Sequence, residues 1–326
     1  MILQAQIELI FRIRSSVYLI GVVGLFSNSF LQLNTIFISI IIEAVPFIII
    51  GVFISAIIQM FVTDTLVARI VPKNRVGSVM FGTCMGALFP ACECGIVPIT
   101  ERLVKKNVPL HAAIAFMLAG PIINPVVLFA TYIAFGSSWQ MVFYRAGLAI
   151  AVSITVGILV SYLFPENQLR EFVNKKVAHY HNHHHENNGE PNSITFLDKF
   201  KGTMDHAIDE FFSVGKYLVF GAFIAAAMQT YIKQSVLLSF ANTPFTAILV
   251  MMLLAFIMSL CSEADAFVAS SFRSTFPPGP LTAFLVFGAM VDIKNLIMML
   301  STFKKKFVAG LIALIFICVF AGALLI

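Results

Sequence analysis

The stretch Phe89-Pro90-Ala91-Cys92-Glu93-Cys94-Gly95-Ile96-Val97-Pro98 lies inside an apolar run long enough to cross a bilayer, yet it holds two prolines, a glycine, an acid and two cysteines. Proline removes an i to i−4 hydrogen bond and clashes with the preceding turn, so a helix entering this stretch breaks there. In the bilayer core every backbone N–H and C=O needs a partner, and a break survives only where it faces protein or a wet cavity. The stretch therefore predicts a helical membrane protein whose working centre is a helix break.

The surrounding composition agrees. Of the 326 residues, 59% are hydrophobic and 11% charged, and the mean hydropathy of +0.94 excludes an ordinary soluble domain. Apolar runs at 35–62, 78–100, 110–134, 141–164, 211–232, 245–272, 281–302 and 307–326 are each long enough to cross a core of about 30 Å as a helix. They are continuously apolar rather than alternating, which excludes a β-barrel. The expected fold is an all-α polytopic membrane protein with about eight transmembrane helices, placed in the cell membrane. Arg12 and Arg14 precede a modest run at 15–26, read as an amphipathic or short membrane segment rather than a cleaved leader.

The net charge of +5 comes from Lys and Arg at span ends, such as Arg69, Lys73, Arg75 and Lys304 to Lys306. These are topology markers, not a nucleic-acid surface. The five cysteines, Cys84, Cys92, Cys94, Cys261 and Cys318, are odd in number and lie in apolar runs, which argues for thiols rather than a disulfide framework.

Comparing the chain with itself at a shift near 170 aligns Gly51 to Gln59 with Gly221 to Gln229, Cys92 with Cys261, Pro109-Leu110 with Pro280-Leu281, and Pro121 to Asn124 with Asp292 to Asn295. Two pseudo-symmetric repeats with broken helices at the centre are a usual transporter plan. The expected organisation is an N-terminal segment over 1–34, a first transmembrane repeat over 35–164, a polar linker over 165–210 and a second repeat over 211–326. Eight full crossings would make the repeats parallel. If the cysteine-bearing segments are re-entrant, the repeats are inverted and the loops at 63–77, 101–109, 165–210 and 303–306 share the cytoplasm.

Polar groups at membrane depth mark function. Cys92, Cys94 and Cys261 are candidate ligands for a soft metal or metalloid, because a thiolate near a helix N-terminus is the binding form. Glu93, Glu263 and Asp265 are intramembrane carboxylates suited to carrying protons or neutralising a cation. Asn124, in Gly120-Pro121-Ile122-Ile123-Asn124-Pro125, and Asn295, in the counterpart segment, are candidate neutral ligands. Asp292 and Lys294 are candidate coupling groups, with ion pairing to each other or to Glu263 or Asp265 as the structural alternative. In the linker, His179, His181, His183, His184 and His185 match a short metal-binding tract, with a disordered accidental tract as the alternative.

Together, Cys92 to Pro98, Gly120 to Pro125, Cys261 to Phe267 and Phe287 to Asn295 resemble the ArsP-like family of predicted permeases, over about residues 35 to 326. The resemblance implies an eight-span inner-membrane permease. One branch of that family exports trivalent organoarsenicals, and other members are associated with zinc-responsive gene sets.

The leading expectation is a permease for a small thiol-reactive or metal- or metalloid-containing solute. Organoarsenical efflux is one form of it and zinc or other divalent-metal transport another. No Gly-x-x-x-x-Gly-Lys-Ser/Thr pattern is present, so a gradient or a partner must supply energy. No catalytic residue and no resident cofactor are read from the chain; the metal in question is cargo. The rivals are a membrane thiol oxidoreductase using Cys92, Cys94 and Cys261, and a non-transporting subunit that docks a membrane or extracytoplasmic partner through the linker.

Overall fold

The computed structural model describes residues 29–46, 49–50, 53, 71–72, 74–89, 93–164, 168–170, 196–231 and 243–326. The N-terminal segment, the match at Gly51 to Gln59 apart from Phe53, and the linker histidines lie outside the described residues. Twelve helices carry the argument: α1 (Ser29–Pro46), α2 (Arg75–Leu88), α3 (Glu93–Lys105), α4 (Leu110–Ile123), α5 (Pro125–Ala134), α6 (Trp139–Leu163), α7 (Phe196–Tyr231), α8 (Pro244–Met258), α9 (Ser262–Ser271), α10 (Pro278–Met290), α11 (Ile293–Thr302) and α12 (Lys305–Ala323). As expected from composition, the chain is an all-α polytopic membrane protein.

Close contacts set the helix directions. Ser78 hydrogen-bonds His111, Gly82 lies against Ala112, and Gly86 lies against Phe116 and Gly120, so α2 runs parallel to α4. Ile96 lies against Gly120 while the Lys106 to Pro109 turn joins α3 to α4, so α3 runs back antiparallel. The run at 78–100, expected as one crossing, is instead a re-entrant hairpin that turns between Leu88 and Glu93. The run at 245–272 is a second one. Phe245 stacks near Phe320 and Gly279 lies against Ala323, while Ala255 lies against Gly288, so α8 is parallel to α10 and α9 returns. In the second hairpin, α8 ends at Ser259 in the left-handed region, φ 48°.

Between the hairpins stand two long rods. α4 and α5 form one apolar span, Leu110–Ala134, interrupted at Asn124; α10 and α11 form another, Pro278–Thr302, interrupted at Asp292. With α1, α6 and α12, these are the five helices among the described residues that are long and apolar enough to cross a membrane. α6 runs antiparallel to the first rod, since Gly157 meets Ala115 and Arg145 meets Thr131. α12 does the same to the second, since Phe287 meets Phe316 and Gly279 meets Ala323.

The order hairpin, broken rod, span thus occurs twice, in opposite directions. α3 and α11 run side by side outward from the centre, with Thr302 bonded to Glu101 at their ends; α5 and α9 run outward to the opposite face, where Arg273 bonds the Phe135 carbonyl. Caps correct the alignment made from sequence by three residues: Pro109 corresponds to Pro277 and Asn124 to Asp292. Proline-rich and apolar stretches slide past one another easily, whereas a cap occupies one position only.

Arg75, Arg102, Lys105, Lys106, Arg170 and Lys304 to Lys306 gather at one face, and Arg273 stands at the other. The positive-inside rule makes the basic face cytoplasmic. α7 is one continuous helix of 36 residues, about 54 Å at 1.5 Å per residue, longer than the hydrocarbon core. It passes Tyr217 by Thr302 and Gly221 against Lys294, and Gln229 donates to the Met258 carbonyl, so its first turns project from the basic face. α1 packs on it through Phe37 and Phe223.

In lipid, helices associate through close backbone approach rather than apolar burial. Gly82 and Gly86, four apart on α2, provide it: a Cβ at Gly82 would meet the Ala112 carbonyl oxygen at 2.2 Å, and one at Gly86 the Phe116 oxygen at 2.7 Å. Gly82→Val should lower stability by roughly 1–3 kcal/mol through overpacking. Gly147→Val, with nothing within 4 Å of its Cβ, should leave the thermal midpoint in detergent near wild type. Equal midpoints for the two variants would contradict this packing.

Candidate functional site

Four half-helices begin at the centre. α3 starts at Glu93, α5 behind the Asn124 cap, α9 behind the Cys261 cap and α11 behind the Asp292 cap. Each N-terminus presents unpaired N–H groups and about half a positive charge, so each needs an acceptor at membrane depth. The side chains supply it locally. Asn124 Oδ1 accepts from Val127 N at 2.9 Å, Cys261 Sγ from Ala264 N at 3.4 Å and Asp292 Oδ1 from Asn295 N at 2.6 Å.

On these N-termini sits a buried charge cluster drawn from both hairpins and both rods. Lys294 Nζ lies 3.8 Å from Glu93 Oε1 and 3.5 Å from Asp292 Oδ2. Ser262 Oγ donates to Glu93 Oε2 at 3.3 Å, joining residues 169 positions apart in the chain. Arg145 of α6 is 0% exposed; its Nη1 donates to Thr131 Oγ1 at 2.7 Å and its Nη2 to the Ser262 carbonyl at 2.9 Å. Asp265, 1% exposed, has no hydrogen-bond partner for either carboxylate oxygen, and Asn295 Oδ1 has none. Four acids (Glu93, Glu263, Asp265, Asp292) face two bases (Lys294, Arg145), and the four helix N-termini offset the surplus negative charge.

The residues singled out by sequence are therefore largely brought together. Glu93, Asp292 and Lys294 form one ion cluster: Asp292 and Lys294 pair with each other, and the further acid on Lys294 is Glu93 rather than Glu263 or Asp265. Glu263 is half-buried beside it. Asn124 and Asn295 are present, but Asn124 is a helix cap engaged at both ends, its Nδ2 donating to the Gly120 carbonyl at 3.3 Å. Asn295 Nδ2 donates to the Met290 carbonyl at 3.1 Å. Cys261 caps α9 at intermediate exposure, and the carboxylate of Glu43 from α1 faces its thiol. Cys92 lies outside the described residues, and of Cys94 only the backbone, in the first turn of α3, is described. Among the described residues no three His, Cys, Asp or Glu side chains converge as a metal site.

Sequence reading missed Arg145, Thr131, Ser262 and Ser259, whose Oγ accepts from Lys294 N at 3.5 Å. Arg145 had a signal: an arginine five residues into the apolar run at 141–164 is an intramembrane ion by position. Ser262 and Thr131 had none, since hydroxyls are common in membrane helices and only their partners across the fold distinguish them.

A family described as predicted permease matches residues 29–326. The chain is 62% identical over 304 residues, 92% of its length and 98% of the relative's, to UPF0718 protein YcgR of Bacillus subtilis. It is 48% identical over 281 residues, 86% of its length and 90% of the relative's, to a Streptococcus mutans protein named "Putative two-component membrane permease complex subunit". A shorter match, 30% over 83 residues, covers 26% of this chain and 22% of UPF0718 protein MJ0584 of Methanocaldococcus jannaschii. No solved structure matches the chain. The broken rods, the re-entrant hairpins and the buried ion cluster are thus those of a membrane protein that belongs to the ArsP-type family of predicted permeases.

Proposed function

We propose that this chain is a permease that moves a small thiol-reactive or metal- or metalloid-containing solute through a centre built by two inverted repeats, 35–164 and 211–326. The observation that carries the reading is the meeting of four half-helix N-termini on the Glu93–Lys294–Asp292 cluster, two from each set of helices. Discontinuous helices ending at the midplane are how secondary transporters present backbone and side-chain ligands to a solute. In this reading Cys92, Cys94 and Cys261 contact the cargo, with Glu93 and Glu263 offsetting its charge. Asn295, whose Oδ1 is unpartnered, supplies a neutral ligand. Organoarsenicals and divalent metals such as zinc are the two cargo classes to try first. The name of the Streptococcus relative supports a second membrane subunit as partner.

Export or import by everted vesicles carrying the full chain, given a panel of trivalent arsenicals and divalent metals, tests this. One class should be transported, and Cys92→Ser, Cys94→Ser and Cys261→Ser should each lose that class by about tenfold or more. A triple Cys→Ser variant that transports at the wild-type rate would overturn the role of the thiols.

The ion cluster yields a stability test. Removing one partner of a buried pair leaves an uncompensated charge and costs about 3–5 kcal/mol, whereas removing both costs far less. Lys294→Met should lower the thermal midpoint in detergent strongly, and adding Glu93→Gln should restore part of it while transport stays lost. Additive losses in the double variant would show that the two side chains are not coupled.

A further inference from the structure

We propose that Asp265 is the proton-carrying group of this permease, that it holds its proton in the state seen here, and that Arg145 is the group that pairs with it once the proton has left. The purpose of such a site rests on the permease reading; its geometry does not.

Asp265 is 1% exposed and neither carboxylate oxygen has a hydrogen-bond partner. An ionised carboxylate without donors or a paired cation is the costliest group to place in a low-dielectric interior, and taking up a proton is how such a group avoids the cost. Glu93 stands in contrast, since Ser262 and Lys294 both engage it.

The slot itself is shaped for an uncharged side chain. Asp265 is the fourth residue of α9 and lies against Gly288, its Oδ2 3.1 Å from where a Cβ would stand; Gly288 is four residues before the Asp292 cap. The fourth residue of α3 is Ile96, which lies against Gly120, four residues before the Asn124 cap. The same slot between a returning hairpin helix and a rod thus holds isoleucine in one set of helices and Asp265 in the other.

Arg145 is placed to answer a change of charge at Asp265. Its two Nη atoms are given to neutral acceptors, Thr131 Oγ1 and the Ser262 carbonyl, and its Nε has no hydrogen-bond partner. Arg145 bonds the Ser262 carbonyl one turn before Asp265 on α9, and each is the foremost charge acting on the other, so the guanidinium stands close enough to answer the carboxylate. The other charged groups acting on Asp265 are Glu93 from α3 and Lys294 and Asp292 from α11; Glu263, on the helix of Asp265, acts on Arg145, α10 presents Gly288 to Asp265, and α5 presents Thr131 to Arg145.

The proton balance is simple. The carboxylate takes one proton from the side of the membrane to which the site is open, becomes a neutral acid and leaves Arg145 on Thr131 and Ser262. Released to the other side, the proton leaves a carboxylate that draws Arg145 away from the α9 N-terminus and loosens the junction of α5 with α9. The proton gradient supplies the driving force.

The test needs no cargo. The full chain is reconstituted in liposomes and followed by infrared difference spectroscopy through a pH titration, reading the carbonyl stretch of a protonated carboxylic acid. Wild type should show a band that disappears on alkalinisation. Asp265→Asn should lack it while keeping the wild-type thermal midpoint, because the amide matches the neutral acid in shape. Glu93→Gln should retain the band. Arg145→Gln should keep the band at pH values where wild type has lost it, which a merely structural arginine would not cause. An undiminished band in Asp265→Asn, an unshifted one in Arg145→Gln, or a band removed by sodium at constant pH would each overturn the proposal. Should Asp265→Asn fail to fold, the Arg145→Gln titration alone decides. A negative result here leaves the vesicle transport assay untouched, and failure of that assay leaves this titration intact.

Discussion

Backbone groups in hydrocarbon must find partners within the protein, and most of this architecture follows from that requirement. A helix that stops at membrane depth exposes N–H groups it cannot hand to water. Four such ends exist among the described residues, and the structure gathers them at one centre, caps three of them with Asn124, Cys261 and Asp292, and lays buried carboxylates beside them. Helix breaks and acidic residues therefore stabilise each other. Neither would be tolerable alone at that depth.

The same constraint explains the two hairpins. A half-length helix cannot end in lipid, so α2 and α8 turn back against a rod that covers them. For α2 the rod is approached so closely at Gly82 and Gly86 that a side chain would meet its backbone. The start of each returning helix is thereby held at the level of the rod breaks, which brings Ser262 within 3.3 Å of Glu93. Charge follows geometry at the surface too: once the hairpins are re-entrant, the basic segments around Arg75, Lys105, Arg170 and Lys305 share one face.

The two sets of helices are alike in path and unlike in charge. Where α3 and α11 meet, Glu93 and Lys294 lie within ion-pair distance. Where α5 and α9 meet, Ser262 begins α9 as Glu93 begins α3, and the positive charge comes from Arg145 on α6. Matched scaffolds carrying different ions on the two sides of one centre are what a device needs if it is to bind one species and be driven by another.

The amino-acid sequence by itself determined that the chain is a helical membrane protein, that its helices break within 89–98, 120–125 and 287–295, and that Glu93, Glu263 and Asp265 lie in apolar runs at membrane depth. These are local matters: hydropathy over about 20 residues, and prolines, glycines and caps that act on the next turn. Whether the apolar run at 78–100 crosses or turns back was not local, because a broken helix of that length suits either path and only its packing on α4 selects one. The pairing of Lys294 with Asp292, two residues away, was legible, but its second partner was not: Glu93 lies some 200 residues earlier, on a hairpin. Only the tertiary structure decided these, since an ion pair or a close backbone contact is made across space between residues whose separation along the chain carries no trace of it.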